Sequence, residues 1–168
     1  MKKILLVGKI NDAVKGIDEL LGKYYHVQIC PLHADALTDI LKVVTPNLIL
    51  ISLVGAFEMD TVIFNMLEIG YKSIPVLTIG TEREKLAFLD FYKSNQFENL
   101  IRPVDNTTIM EAVCRRMGDT LTVKDGQYEV KENRDKKLVM IVDDNAMTCA
   151  VLRRSCRILM IFLLLLPA

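Results

Sequence analysis

The stretch that decides the fold is Pro46-Asn47-Leu48-Ile49-Leu50-Ile51-Ser52, in which four consecutive large aliphatic residues stand between a Pro-Asn pair and a serine. A short continuous apolar run that is rich in isoleucine is typical of a strand buried on both faces. Such strands occur in parallel sheets that helices cover from either side. The stretch therefore predicts an α/β protein.

The sequence on both sides of this strand repeats the same alternation of apolar runs and helical patterns. Further strands are expected at residues 3–7, 25–30, 74–79 and 100–102. Five such β-α units, joined by right-handed crossovers, fit a flavodoxin-like (βα)5 fold with a parallel sheet of strand order 2-1-3-4-5. The functional crevice of such a fold lies beyond the carboxyl ends of its strands.

The helices between these strands carry start and stop signals. Gly22 is placed to end the first helix, and Asp105 can cap the fifth. Leu86 and Leu89 outline the apolar stripe of the fourth helix, because they recur at helical spacing.

The chain changes character after residue 118. Residues 120–131 alternate around Asp125-Gly126, which is a strong hairpin signal, with a charged linker as the alternative. Residues 138–145 then form an apolar run that ends in two carboxylates and is similar in outline to residues 3–11. We therefore expect a domain at 1–118, a linker or β-hairpin at 119–136, and a C-terminal β-α extension at 137–168 that restarts the same fold.

Three strand motifs resemble those of the response-regulator receiver (CheY-like) family. Residues 46–52 resemble its third-strand motif P-D-L-I-L-x-D, residues 74–80 resemble I-P-V-I-x-L-T, and residues 100–105 resemble Y-L-x-K-P-F-D. The resemblance covers residues 2–117 as a whole domain and 137–157 as a fragment. It implies a cytoplasmic module of bacterial two-component (phosphorelay) signalling, a family that accepts a phosphoryl group on an aspartate beside Mg²⁺.

The first domain departs from the family at the positions that carry this chemistry. By resemblance, the two acidic metal ligands, the acceptor aspartate, the switch threonine or serine, the aromatic switch residue and the phosphate-binding lysine fall, in order, at Gly8, Lys9, Ser52, Gly80, Asn99 and Arg102. An acyl phosphate requires a carboxylate acceptor, and Mg²⁺ requires acidic ligands. We therefore predict a pseudo-receiver that is not an enzyme, binds no cofactor and acts through protein–protein contacts.

The resemblance also places a partner surface and a second metal site. The family's fourth helix, fifth strand and fifth helix, here the region Glu82 to Met117, commonly contact a partner or a second copy, and we expect Phe88 and Phe91 within it to lie in the core. Asp143 and Asp144 match the family's Mg²⁺-binding pair, so Mg²⁺ is expected only in an intact second receiver. The other strands of that receiver are missing, which predicts a truncated or frame-disrupted longer protein.

The C-terminal tail and the overall charge limit the other classes of partner. The uncharged run at residues 158–166 is far shorter than the roughly 20 apolar residues that span a membrane, but it would promote oligomers if exposed. Basic and acidic residues are equal in number, 21 each, which does not favour nucleic-acid binding. Four scattered cysteines without a C-x-x-C pair are consistent with a reducing cytosol.

Two other functions use the same sheet. A small nucleotide- or anion-binding flavodoxin-like protein needs a phosphate cradle after the first strand, where residues 8–11 offer one glycine and no P-loop. A hydrolase with Ser52 as nucleophile lacks the G-x-S-x-G elbow.

The replaced acidic cluster reverses the expected charge of the crevice. Lys9 and Arg102 would lie close to it, where they either hold an anion or form ordinary ion pairs. The candidate partners for such pairs are Asp12, Glu58 and Asp60.

Overall fold

The computed structural model describes residues 1–55, 61–91 and 97–133, together with the backbone of residues 141–142 and 163–164. The chain divides into two compact units, Met1–Glu132 and Asn133–Ala168. The strands of the first unit's main sheet are β1 (Lys3–Val7), β2 (His26–Cys30), β3 (Leu48–Ser52), β4 (Val76–Gly80) and β5 (Phe97–Ile101). The helices are α1 (Asp12–Leu21), α2 (Ala34–Val43), α3 (Thr61–Gly70), α4 (Glu82–Phe91) and α5 (Asn106–Met117).

The sheet has the topology that the sequence predicts. Its five strands are all parallel and lie in the order β2-β1-β3-β4-β5, which confirms the flavodoxin-like (βα)5 fold. Every residue of β3 and β4 is buried, because these two strands have neighbours on either side and helices on both faces. The peptide bond between Arg102 and Pro103, just after β5, is cis.

Two apolar clusters, one on each face of the sheet, form the core. Leu6 and Leu50 belong to a cluster with α1 and α5, whereas Leu5 and Ile49 belong to a cluster with α2, α3 and α4. Neighbouring residues of one strand point to opposite faces, so the apolar run of β3 supplies both clusters. The helices thus fix the sheet from both sides and leave its carboxyl ends facing the loops.

Helix ends follow the expected signals, but one apolar stripe does not. The Asp105 carboxylate accepts a hydrogen bond from the Thr108 amide at the start of α5, and Gly22 ends α1, as predicted. The prediction for α4 was wrong at Leu86, which is 58% exposed. Phe88 is the buried residue, as expected, and its ring stacks on Phe97 with centroids 5.1 Å apart, so the buried face of α4 is turned away from Leu86. Phe91 was also expected to be buried, but its side chain lies outside the part of the chain that the structure describes.

The Asp-Gly signal forms a hairpin. Strands β6 (Thr120–Lys124) and β7 (Gln127–Lys131) are antiparallel, and Asp125 and Gly126 both have positive φ, as a two-residue turn of type I′ requires. Tyr128 packs against the α1–α5 cluster and shares a hydrogen bond of 3.0 Å with the Thr107 hydroxyl. The first compact unit therefore continues past residue 118 and includes the hairpin.

Apart from Asn133, the second unit is described only at two short strands. Strands β8 (Ile141–Val142) and β9 (Leu163–Leu164) pair in parallel. The rest of the expected β-α extension, including Asp143 and Asp144, lies outside the described residues. Across the part of the chain that is described, no helix is long and apolar enough to cross a bilayer.

Candidate functional site

The carboxyl ends of the parallel strands meet at one edge of the sheet, called here the carboxyl edge. Ser52 and Gly80 are the last residues of β3 and β4, and Gly8 and Arg102 directly follow β1 and β5. Backbone hydrogen bonds extend the sheet to these residues, since the Gly8 amide donates to Cys30 O at 3.0 Å and the Arg102 amide donates to Gly80 O at 2.9 Å. The fold therefore brings these four sequence-predicted positions to the same edge.

Gly8 and Ser52 touch across the gap between β1 and β3. A Cβ on Gly8 would lie 2.9 Å from Ser52 Cβ and 3.3 Å from Val14 Cγ2, and the first distance is shorter than real Cβ contacts. Ser52 itself is buried, with 4% of its surface exposed. A side chain at position 8, where the resemblance to the receiver family puts an acidic metal ligand, would thus collide with the neighbouring strand.

Gly80 has the same lack of space at the end of β4. A Cβ there would lie 2.8 Å from Leu53 Cβ and 3.2 Å from the Oε2 atom of Glu84. Leu53 is fully buried, so its side chain has no free volume into which it can move. The volume that a switch threonine or serine would need is occupied by these two side chains.

Glu84 ties the start of α4 to the end of β5. Its Oε2 atom accepts hydrogen bonds from the Thr81 amide at 2.7 Å, the Thr81 hydroxyl at 3.0 Å and the Arg102 guanidinium at 2.7 Å. The Glu84 amide in turn donates to the Thr81 hydroxyl at 3.3 Å, which completes a capping box. Thr81 and Glu84 stand at the T-x-x-E spacing of this motif, a signal in the sequence that could have identified Glu84.

The structure gives Arg102 a partner that was not among the expected ones, Asp12, Glu58 and Asp60. That partner is Glu84, which the sequence reasoning missed, whereas Glu58 and Asp60 lie outside the described residues. Lys9 instead lines a recess of about 310 Å³ together with His33. The two cations predicted to share one crevice therefore have different surroundings.

The Glu84 carboxylate is held in its ionised form. Burial raises its pKa, but the hydrogen bonds from Thr81 and the Arg102 guanidinium outweigh that effect, and the pKa lies below the ordinary glutamate value. The side chains of Glu84 and Arg102 are 13% and 32% exposed, so water screens this pair only in part. The carboxyl edge thus contains a charge-assisted contact between two loops.

Asn99, which the resemblance places at the aromatic switch position, is paired to the neighbouring strand. The Thr78 hydroxyl donates to the Asn99 Oδ1 atom at 2.6 Å, and the two residues are register partners across β4 and β5. The Nδ2 atom of Asn99 is buried and has no hydrogen-bond partner within the described part of the chain. Asn99 thus forms a short polar pair at the position where the resemblance implies an aromatic ring.

The residues at the carboxyl edge do not fit the Mg²⁺ site that the receiver family implies. Among residues 1–55, 61–91 and 97–133, no three His, Cys, Asp or Glu side chains converge as metal ligands. Of the carboxylates at this edge, Glu84 is paired with Arg102 and Asp105 caps α5, and Gly8 offers no ligand atom beyond the backbone. Mg²⁺ prefers several oxygen ligands with carboxylates among them, which this arrangement does not supply.

A groove of about 780 Å³ opens beside the carboxyl edge, between α1 and the connection from β5 to α5. Ile17, Leu20 and Ile109 form part of its apolar lining, and its charged lining residues are of both signs: Glu19, Lys23 and Arg102. Gly16 of α1 also lines the groove and has no heavy atom within 4 Å of the position that a Cβ would take. The groove is therefore wide enough to admit a small molecule or a side chain from outside.

Comparison with known proteins supports the fold. No protein-family model and no curated protein matches the sequence. Among solved structures, the N-terminal receiver domain of a two-component response regulator from Bacteroides fragilis is 13% identical, with a TM-score of 0.54 over 70% of this chain and 98% of that one. The receiver domain of a signal transduction histidine kinase from Syntrophus aciditrophicus is 15% identical, with a TM-score of 0.57 over 70% of this chain and 91% of that one.

A third match extends the similarity to a further receiver. A CheY-like receiver domain protein from Methanospirillum hungatei JF-1 is 13% identical, with a TM-score of 0.52 over 70% of this chain and 94% of that one. Nearly the whole of each solved domain is matched, so the chain contains a complete flavodoxin-like receiver fold. At such low identity the likeness concerns the fold, and function has to be argued from the site.

Proposed function

We propose that the first unit is a receiver-like module of two-component signalling that accepts no phosphoryl group and works through protein–protein contacts. The observation that carries the proposal is the contact between Gly8 and Ser52, because it leaves no room for an acidic side chain beside the acceptor position. Phosphoryl transfer depends on positioned charge, and a site without metal ligands cannot neutralise the moving group.

Ser52 is a poor substitute for the acceptor aspartate. A serine hydroxyl becomes a useful nucleophile only beside a general base. Ser52 lies beside Gly8, and the residue that follows Gly8 in the chain, Lys9, is a cation. Burial of Ser52 further restricts the approach of a phosphodonor. These points favour a module whose surface is recognised by partner proteins and which does not accept a phosphoryl group.

The surface from Glu82 to Met117 is the part of the module that we propose for partner contacts. Leu86 on α4 and Ile101 at the end of β5 are large apolar residues that the first unit leaves exposed. Exposed apolar side chains mark a contact surface where they form a contiguous patch. The occupant that we propose is a protein partner or a second copy of the chain.

The test is incubation of the intact chain with acetyl phosphate and Mg²⁺, followed by intact mass measurement. We expect no gain in mass, while a receiver that retains its acceptor aspartate gains one phosphoryl group under the same conditions. A gain in the wild type that disappears in the Ser52→Ala variant would refute the proposal. A gain that survives in Ser52→Ala would place the phosphoryl group elsewhere and would equally end the idea of an inert module.

The groove beside α1 favours a second candidate function, the binding of a small anionic molecule. Its volume of about 780 Å³ lies within the range of ligand pockets, and Lys23 would favour an anion, whereas Glu19 would oppose one and Arg102 is already paired with Glu84. Saturable stabilisation of the wild type by a nucleotide, lost in Gly16→Leu, would support it. Thermal shift without any saturable response would leave the signalling module as the better account.

A further inference from the structure

Three hydrogen-bond donors from two loops meet at a single oxygen atom. The Thr81 amide and hydroxyl belong to the β4–α4 connection, and the Arg102 guanidinium belongs to the connection after β5. The acceptor, Oε2 of Glu84, comes from the first turn of α4. Charge-assisted hydrogen bonds are roughly twice as strong as neutral ones, so this oxygen joins the two loops firmly.

The space around that oxygen exists because Gly80 has no side chain. The Oε2 atom lies 3.2 Å from the position of a Cβ on Gly80, so a larger residue there would displace the carboxylate. Gly80 and Arg102 are also joined through the backbone, since the Arg102 amide donates to Gly80 O at 2.9 Å. Glu84 therefore stands over the junction of β4 and β5.

Glu82, in the same turn of α4, provides a useful contrast. Its carboxylate pairs with Lys85 of the same helix at 3.0 Å, which is a local pair of an exposed kind. Glu84 reaches a residue 18 positions away in the chain. Both are acidic residues near a helix N-terminus, where negative charge is favourable, but only the Glu84 pair connects two elements of the sheet edge.

We infer that Glu84 is a built-in anion for the Thr81–Arg102 donors, holding the start of α4 against the end of β5 in the arrangement that a bound phosphoryl group would otherwise have to supply. The inference rests on the proposed function, because Arg102 and Gly80 are the positions that resemble the family's phosphate-binding lysine and switch residue. Glu84 is a positioning residue, and its permanent carboxylate charge takes the place of the charge that a transferred phosphoryl group would bring. The contact surface that begins at Glu82 is accordingly fixed without phosphorylation.

The Arg102 guanidinium retains a hydrogen-bond donor that the Glu84 carboxylate does not use. Its Nε atom is buried and has no hydrogen-bond partner in the described part of the chain. The Oε2 atom of Glu84 therefore does not satisfy every donor of Thr81 and Arg102. Removal of the Glu84 carboxylate would leave Arg102 and both donors of Thr81 facing an empty space, which a free oxyanion can enter.

The test compares Glu84→Ala and Glu84→Gln with the matched control Glu82→Ala in the full chain. We expect hydrogen exchange of the α4 amides to accelerate by about tenfold or more in the Glu84 variants, since a charge-assisted bond is lost, and to stay near the wild-type rate in the control. Inorganic phosphate should then slow exchange and raise the Tm of Glu84→Ala in a saturable way. It should do neither in the wild type, nor in the double variant Glu84→Ala, Arg102→Ala.

The outcomes separate this inference from the proposed function. Equal exchange of α4 in the Glu84 and Glu82 variants, or the absence of any phosphate effect on Glu84→Ala, would overturn the built-in anion. If Glu84→Ala does not fold, hydrogen exchange of the α4 amides in Glu84→Gln is the deciding measurement. The glutamine amide keeps the size of the side chain and removes the charge. Phosphorylation of the wild type by acetyl phosphate would instead refute the inert module and would appear as a change in mass.

Discussion

The Cβ of Ser52 lies 2.9 Å from the position that a Cβ on Gly8 would take. Gly8 is required here for space, because its φ is not among the positive ones and its backbone would suit any residue. The ends of β1 and β3 are therefore closer together than a pair of functional side chains would allow.

Gly8→Asp should consequently destabilise the fold. Forcing extra atoms into a packed core costs about 1–3 kcal/mol, and a carboxylate placed there without a partner adds to that cost. Gly16→Ala is the matched control, because a Cβ at position 16 meets no atom within 4 Å and alanine favours a helix over glycine by roughly 0.5–1 kcal/mol. Urea unfolding should show a lower midpoint for Gly8→Asp and a higher one for Gly16→Ala. A Gly8→Asp variant as stable as the wild type would contradict the argument from space.

The sequence was sufficient for the sheet and insufficient for the site. The apolar run of β3 and the caps Asp105 and Gly22 are local signals, and local signals predicted the elements correctly. The role of Glu84 depends on Arg102, which is 18 residues away, and no local pattern announces that contact. The exposure of Leu86 was missed for a related reason, since the face that α4 buries is set by the contact of Phe88 with Phe97 on another element.

The contact between Glu84 and Arg102 should make the free energy of unfolding depend on pH in the acidic range. The folded-state pKa of Glu84 is depressed, so its contribution is present above the ordinary glutamate pKa of about 4.3 and is lost as the pH falls through the lower folded value. The difference in unfolding free energy between wild type and Glu84→Gln should therefore be largest near neutral pH and should shrink below about pH 4. The same difference for Glu82→Gln provides the control and should be smaller at neutral pH. A Glu84→Gln difference that is independent of pH would mean that the charge contributes nothing.

A buried ion pair at the other end of the sheet should carry more stability. Lys2 Nζ lies 2.7 Å from Asp119 Oδ1, and their side chains are 14% and 0% exposed. Tyr25 donates its hydroxyl to the other carboxylate oxygen at 3.1 Å, and burial, together with Cys114, raises the pKa of that hydroxyl well above its ordinary value, so it remains a donor. Removing one partner of a buried pair leaves an uncompensated charge and costs about 3–5 kcal/mol.

Asp119→Ala should therefore lower the unfolding free energy by that amount and loosen the hairpin that follows it. Asp39→Ala, which breaks the exposed pair with Lys42, should cost at most about 1 kcal/mol. Chemical unfolding gives both free energies, and exchange of the β6 and β7 amides reports on the hairpin. Similar losses for the two variants would show that the pair with Lys2 is no stronger than a surface pair.

The exposed apolar residues of the Glu82–Met117 region should control association. Leu86→Asp changes a side chain that the first unit leaves exposed, so the variant should unfold within about 0.5 kcal/mol of the wild type. Sedimentation velocity of the full chain should nevertheless show weaker self-association or partner binding, because a charge in an apolar contact is desolvated without a partner. Val43→Asp, on the exposed side of α2, is the matched control and should leave association unchanged. If Leu86→Asp associates like the wild type while Leu163→Asp in the apolar tail does not, the contact lies in the tail and the proposed surface is wrong.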